Sequence, residues 1–147
     1  MSEETISAAR GFTERYNAGD WDGMHDLMAP DAVYDEAGTG RRIEGADAII
    51  DVNKAWKAAL PDSKGTISEA FACDDRVVLR ITWTGTQSGP LPLPTGGELP
   101  PSNREINVPA CQIVRVADGK LVEAIHYFDM LTMLEQIGAM EALAQAG

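Results

Sequence analysis

The sequence contains little cysteine, little histidine and no motif typical of a metal or phosphate site. Its 147 residues include two cysteines, Cys73 and Cys111, and two histidines. Two cysteines make no disulfide framework. Two histidines without clustered cysteines make a poor metal site, because zinc usually takes three or four nitrogen or sulfur ligands. A glycine-rich phosphate loop, a nucleophile elbow and an H-E-x-x-H motif are also missing, so we expect no bound metal.

Positive charge is scarce as well, since 12 Lys and Arg residues stand against 23 Asp and Glu residues and the formal net charge is -11. Such a chain repels phosphate backbones and anionic lipids, which argues against nucleic acid and membranes as partners. No apolar run approaches the ~18 residues of a membrane span. The first five residues are acidic and lack the basic and apolar regions of a signal peptide, so we expect a cytoplasmic protein.

The remaining composition is that of a folded domain, with 44% hydrophobic residues. The length predicts a single domain over residues 1–147. Hydrophobic spacing predicts helices over residues 3–16 and 46–60, a short helix between Asp20 and Pro30, and a tail helix over 130–145. Alternation and turn signals predict strands over residues 32–35, 41–44, 66–73, 77–86, 104–116 and 121–129.

The order of these elements indicates the fold class. Helices followed by antiparallel strands favour an α+β fold with helices packed on one face of a sheet. Residues 89–101 contain five of the eight prolines. Because proline cannot donate a hydrogen bond to a neighbouring strand, we expect a loop without a strand there, either a lid or rim of a site or a flexible segment.

His126 is the main candidate for acid/base chemistry. Alternation along the last predicted strand places it on the same face as Ala124 and Phe128, on a strand expected to be central. Its ordinary pKa of ~6.5 suits proton transfer near neutrality. The alternative is a core histidine satisfied by a local carboxylate or carbonyl. His25 lies in a polar stretch and is predicted to be a surface residue.

Other polar residues are candidates for binding or assisting. Asp35, at the end of the first predicted strand, could act as an acid, a base or the orienter of His126, or simply be solvated. A buried hydroxyl or amide on an otherwise apolar face needs a partner, which could be a ligand carbonyl, backbone or water. The residues predicted to line a substrate pocket are Tyr16, Asn53, Trp56, Gln112 and Phe128.

Several segments together resemble a known family. They are YNAGD at 16–20, LMAPDAV at 27–33, IEG at 43–45, LPTG at 93–96, IVRVADGKLVE at 113–123, HYFD at 126–129 and LEQIG at 134–138. In this order they resemble the SnoaL-like polyketide cyclases, which are part of the nuclear-transport-factor-2-like superfamily. The resemblance covers nearly the whole chain.

The resemblance implies a cone-shaped half-barrel in which a curved, mostly antiparallel sheet wraps around helices and encloses one apolar pocket. Cyclases of this kind close a ring by aldol condensation without metal or cofactor. In those enzymes the acid/base residue is an aspartate, and His126 occupies its position here. Gln112 occupies the position of a histidine that assists from the preceding strand.

Three functions follow as hypotheses. The first is a cofactor-independent enzyme acting on a small, largely apolar carbonyl compound by cyclisation, isomerisation or dehydration, with His126 as the general base and Asp35 assisting. The second is a non-catalytic module that binds an apolar small molecule. The third is an assembly domain, because sheets of this superfamily often pair through their outer face. Such pairing predicts a homodimer with Ile113, Ile125 and Tyr127 in the contact.

Overall fold

The computed structural model describes residues 2–93 and 96–140. In these residues the helices are α1 (Ser2–Ala18), α2 (Trp21–Leu27), α3 (Ala46–Ala59) and α4 (Met130–Gln136). The strands are β1 (Met28–Glu36), β2 (Arg41–Glu44), β3 (Lys64–Cys73), β4 (Arg76–Thr86), β5 (Leu91–Pro92), β6 (Glu98–Leu99), β7 (Glu105–Ala117) and β8 (Lys120–Phe128).

Six of the described strands form one curved sheet that does not close, in the order β2-β1-β8-β7-β4-β3. The β1–β8 pair is parallel and the other pairs are antiparallel. Helix α1 packs against β3 and β4, and α3 packs against β1. This confirms the α+β class and the curved, mostly antiparallel sheet around the N-terminal helices. The strand that carries His126 has neighbours on both sides, as expected.

Local signals in the sequence position most of these elements. The Asp20 side chain accepts from the Gly23 amide at 2.9 Å and begins α2. Asp129 accepts from the Thr132 amide at 3.0 Å and begins α4. Both aspartates supply the acceptor that the free amides of a first helical turn need. At the β7–β8 turn, Gly119 and the residue before it have positive φ, as a tight hairpin requires.

The boundaries around β1 differ from prediction. Helix α2 ends at Leu27 rather than running to Pro30, and Pro30 lies inside β1. The parallel pairing of β1 with β8 is irregular between Met28 and Val33, so a residue without an amide hydrogen is tolerated there. At the other end, β1 continues through Glu36, one residue beyond the predicted strand.

The proline-rich segment was predicted to hold no strand, and this was wrong at four residues. Leu91–Pro92 and Glu98–Leu99 pair as a short hairpin, and Leu91 and Leu99 are buried. The two leucines bury apolar surface against the end of the domain, which offsets the poor strand propensity of proline. Residues 94 and 95 lie outside the described residues, as do residues 141–145 of the predicted tail helix.

The core has two parts that meet near one end of the sheet. The larger packs the helices against the concave face of the sheet, and the smaller joins the end of α3, the β5–β6 hairpin, the start of β7 and α4. Trp56 and Phe128 contact both parts. None of the helices in the described part of the chain is long and apolar enough to cross a membrane.

Candidate functional site

A cavity of about 60 Å³ lies where the two parts of the core meet. That volume holds a few water-sized groups and is smaller than the ~300–1,000 Å³ of a typical ligand pocket. Most of its wall is aromatic or aliphatic, and five polar side chains interrupt it. The lining residues are Tyr16, Tyr34, Asn53, Trp56, Leu60, Ser63, Trp83, Ile106, Val108, His126, Phe128 and Met133.

His126 is 6% exposed and forms one wall of the cavity. Its Cα lies opposite Glu36 on β1 and opposite Gln112 on β7, so the three side chains share the concave face of the sheet. This confirms the face that alternation predicted for His126. His25, in contrast, is half exposed and lies 2.9 Å from Asp47.

Both ring nitrogens of His126 have partners in the protein. Nδ1 lies 2.7 Å from the hydroxyl of Tyr34, and Nε2 lies 3.0 Å from the indole nitrogen of Trp83. An indole nitrogen can only donate, so Nε2 must be the unprotonated acceptor. The neutral ring therefore carries its proton on Nδ1 and donates it to the Tyr34 oxygen.

This environment disfavours the charged ring. Burial lowers the pKa of His126 from 6.5 to about 3. The geometry acts in the same direction, since a proton on Nε2 would face the N–H of Trp83. His126 is therefore neutral near pH 7, and its basic lone pair is occupied by Trp83.

Glu36 is a buried carboxylate near the cavity that the sequence analysis did not indicate. The Glu36 side chain is 0% exposed. Arg41 donates to its Oε1 at 2.6 and 2.9 Å, and Thr39 donates to the same oxygen. Trp56 donates its indole N–H to Oε2 at 2.8 Å. Glu36 therefore links the β1–β2 turn to a wall of the cavity.

Tyr34 contacts His126 and lies two residues from Glu36 on the same face of β1. Burial raises the pKa of Tyr34 well above its usual value, and the charge and hydrogen bonding of Glu36 raise it further. A phenol held protonated in this way remains a hydrogen-bond donor at every ordinary pH. Since its oxygen already accepts from Nδ1 of His126, the Tyr34 hydrogen is free for another acceptor.

The structure places Asp35 away from this group. It lies on the other face of β1 from Tyr34, half-buried, with its Cα opposite that of Ile125. The residue that contacts His126 is Tyr34, one position earlier. The signal was present in the alternation of β1, which pairs Tyr34 with Glu36 on one face. Ending the predicted strand at residue 35 hid it.

A second polar group faces the cavity from α1 and the loop after α3. The hydroxyls of Tyr16 and Ser63 lie 2.6 Å apart and are both buried. The ammonium of Lys57 donates to the Ser63 carbonyl at 2.7 Å and lies 4.7 Å above the Tyr16 ring. Burial raises the pKa of Tyr16 to about 12, so the phenol stays protonated. Only one hydroxyl hydrogen fits between two oxygens, so the pair has a second hydrogen for a ligand acceptor.

The other predicted pocket residues divide into two sets. Asn53 lines the cavity and donates to the Ile49 carbonyl at 2.8 Å. Trp56 and Phe128 form an edge-to-face pair in the wall, with ring centroids 5.9 Å apart. Gln112 is 1% exposed and sits beside His126 outside the cavity lining, and its Oε1 is buried without a partner among the described residues.

Among the described residues, no group of three or more His, Cys, Asp or Glu side chains is arranged to hold a metal ion. The polar groups at the cavity are hydroxyls, an amide, an imidazole and indole N–H groups. This set donates and accepts hydrogen bonds around an apolar space, which suits a neutral molecule with a carbonyl or hydroxyl group.

The family assignment follows from the match of residues 6–137 to the family described as SnoaL-like polyketide cyclase. The chain belongs to this family. The match spans every element that lines the cavity, so the resemblance noted in the sequence motifs is confirmed. No curated protein matches the chain.

Solved structures share the fold of this SnoaL-like chain. A candidate SnoaL-like polyketide cyclase from Jannaschia sp. CCS1 is 21% identical, with 94% of each chain covered and a TM-score of 0.82. IdmH from Streptomyces antibioticus, a candidate polyketide cyclase, is 28% identical over 91% of this chain and 98% of that one, with a TM-score of 0.77. A protein with a ketosteroid isomerase-like fold from Catenulispora acidiphila, solved with trimethylamine, is 18% identical over 89% and 92%, with a TM-score of 0.74.

Proposed function

We propose that this SnoaL-like protein is a cofactor-independent acid/base enzyme that moves a proton next to a carbonyl group of a small, largely apolar compound. The observation that carries the proposal is the state of His126. It is buried in the cavity wall, it is neutral, and its tautomer leaves Nε2 as the basic nitrogen. At neutral pH Nε2 of the ring is therefore unprotonated and able to accept a proton.

The chemistry needs a base on one side of the substrate and a donor on the other. In the proposed step, Nε2 of His126 takes a proton from carbon, the C–H electron pair forms the enolate, and the negative charge collects on the carbonyl oxygen. The Tyr16–Ser63 hydroxyl pair supplies a hydrogen to that oxygen. Cyclisation, isomerisation and dehydration all begin with this step, and they differ in what the enolate attacks or expels.

The Trp83 indole must move away from Nε2 before His126 can accept a proton. Its indole N–H lies 3.0 Å from that nitrogen, and no acidic C–H can reach the same lone pair while it stays there. Losing this donor also makes the ring a stronger base, because a proton added to Nε2 no longer faces the indole N–H of Trp83. Trp56, Phe128 and Asn53 then form the wall against which the apolar part of the substrate packs.

Hydrogen–deuterium exchange of carbonyl compounds in D₂O tests this proposal. A panel of β-dicarbonyl and aromatic ketones is incubated with wild type, His126→Ala and His25→Ala, and exchange at the carbon next to the carbonyl is followed by NMR. General base catalysis contributes ~10²–10⁴-fold, so His126→Ala should slow exchange by about that factor. His25→Ala removes an exposed histidine and should retain it. Equal rates in the two variants would remove His126 from the reaction.

A non-catalytic binding module is the second candidate, and the closed site favours it. Both nitrogens of His126 are satisfied within the protein, and the cavity of about 60 Å³ holds only a small molecule. In that case ligands shift the NMR signals of the cavity residues, and no member of the panel exchanges faster than in buffer.

A cytoplasmic homodimer is part of the proposal. The convex face of the sheet carries an apolar row in which Phe71, Val78, Ile113 and Ile125 are cross-strand neighbours. Phe71 is 59% exposed, and Tyr127 nearby is 50% exposed. A second copy of the chain would cover this surface. Light scattering should give twice the mass of 15.8 kDa, and Ile113→Lys should halve the measured value; a monomeric wild type would contradict this part of the proposal.

A further inference from the structure

We propose that Glu36 is a positioning residue that fixes the orientation and tautomer of His126 through the hydroxyl of Tyr34. This inference rests on the proposed role of His126 as the base. It assigns a role to a buried carboxylate that the sequence motifs leave without one.

Burying the Glu36 carboxylate costs free energy, and its hydrogen-bond donors are divided unequally between its two oxygens. A carboxylate with no exposed surface is retained only when its oxygens are matched by donors. The donors from Thr39 and Arg41 all converge on Oε1, and Arg41 is itself partly exposed. Oε2 accepts from Trp56 and has capacity for a second donor. Oε2, the oxygen bound by the cavity residue Trp56, is therefore the less saturated one.

Tyr34 has a hydroxyl hydrogen that needs an acceptor. The Trp83 donor leaves the proton of His126 on Nδ1, and that proton goes to the Tyr34 oxygen at 2.7 Å. The Tyr34 hydroxyl is buried, so its own hydrogen needs an acceptor. Glu36 lies two residues along the same buried face of β1, and its charge raises the pKa of Tyr34. In the proposed arrangement, Nδ1–H of His126 donates to the Tyr34 oxygen, and the Tyr34 hydroxyl donates to Glu36.

The backbone holds the carboxylate and the imidazole in register. Glu36 and His126 are Cα partners in the parallel pair, and the amide of Ala37 donates to the His126 carbonyl at 3.0 Å. The strand that carries the carboxylate is therefore fixed against the strand that carries the imidazole. A base held by a hydrogen bond on its remote nitrogen presents the other nitrogen in one direction, which is what a carboxylate behind an imidazole achieves in hydrolase triads.

Burial is the cause of the lowered pKa of His126. The charged and titratable groups that act on Tyr34 are Glu36 from β1, Arg41 from β2 and Tyr16 from α1. Arg41 offsets part of the Glu36 charge. The orienting effect of Glu36 therefore depends mainly on the hydrogen-bond direction that its acceptor oxygen imposes on Tyr34.

Nitrogen NMR of the His126 ring tests the inference, because ¹⁵N shifts distinguish the two tautomers. The experiment uses the full chain with Trp83→Phe, which removes the other group that selects the tautomer. With Glu36 present, His126 should remain a single Nδ1–H tautomer. Adding Glu36→Gln should give loss of that single form and a mixture with the Nε2–H tautomer. Adding Glu44→Gln is the matched control, since Glu44 pairs with Arg42 on the exposed side of the same hairpin and should leave the ring signals unchanged.

Two further variants keep the inference open to refutation. If Glu36→Gln does not fold, Glu36→Asp keeps the charge for Arg41, withdraws the carboxylate by one methylene and should still disturb the tautomer. Tyr34→Phe should have the same effect as Glu36→Gln, and the two together should have no more than either alone. A His126 ring that stays Nδ1–H in all Glu36 and Tyr34 variants would overturn the inference. The readout needs no turnover, so a chain without catalysis but with a Glu36-dependent tautomer would refute the proposed function alone.

Discussion

His126 should make the fold sensitive to mild acid. Its pKa is lowered from the ordinary value of 6.5 to about 3 in the folded protein, so the unfolded chain binds the proton more tightly. The stabilisation from keeping this ring neutral is complete above pH 6.5 and is lost progressively as the pH falls from 6.5 towards 3. At pH 5 the ring of the unfolded chain is almost fully protonated while the folded one is not. The free energy of unfolding should then be about 2 kcal/mol lower than at pH 7.5 on account of this residue.

Urea unfolding at pH 7.5 and pH 5.0 measures this loss against His126→Gln. The glutamine amide oxygen can accept from Trp83 and its amide nitrogen can donate to Tyr34, so the variant retains both bonds without a titratable ring. The carboxylates titrate equally in both proteins and cancel in the comparison. Wild type should lose about 2 kcal/mol more than His126→Gln between the two pH values. His25→Gln should behave as wild type, since that ring is exposed. A difference between wild type and His126→Gln below about 0.5 kcal/mol would refute the reasoning, because it would mean that the buried ring does not exclude the proton.

Three further variants probe the same region. Trp83→Phe removes the N–H that occupies Nε2. It should raise the pKa of His126 by up to about one unit in an NMR titration, because a hydrogen bond of ~1 kcal/mol no longer opposes protonation. An unchanged or lower pKa would contradict the assigned tautomer. Gly38→Ala places a Cβ 2.7 Å from the Phe128 ring, so it should cost about 1–3 kcal/mol in urea unfolding and push that ring towards the cavity, and an unchanged stability would contradict the close contact. Asp129→Ala removes the side-chain acceptors at the start of α4 and should lower the thermal midpoint measured by circular dichroism, whereas Asp129→Asn should restore most of the loss.

Features determined by neighbours in the chain were predictable from the sequence. Alternation along the last strand placed His126 on the concave face, because side chains of a strand point to opposite faces in turn. The caps at Asp20 and Asp129 depend on an amide three residues further on. The turn at Gly119 depends on positive φ, which glycine adopts without strain. All of these features depend on residues only a few positions apart in the chain.

The partners of His126 could not be predicted in the same way. Trp83 lies on β4, and β7 separates that strand from β8 in the sheet, so only the curvature of the sheet brings the two rings together. Tyr34 reaches His126 because β1 pairs with β8 in parallel, a connection that no turn signal marks. The choice of Asp35 followed from a strand boundary one residue too early. A shift of one residue reverses every side chain of a strand, and here it separates a half-buried carboxylate from the buried Glu36.

The position of Trp83 couples two requirements of the proposed reaction. A substrate larger than the cavity of about 60 Å³ needs the wall to move, and Trp83 is the wall residue that also covers Nε2. A displacement that enlarges the cavity therefore releases the basic lone pair in the same step. A molecule small enough to fit beside Trp83 would bind to a ring that cannot accept its proton. Under the proposed function, the enzyme would thus select substrates by whether they displace the indole, and Trp83→Phe should extend exchange activity to smaller ketones that the wild type binds without reaction.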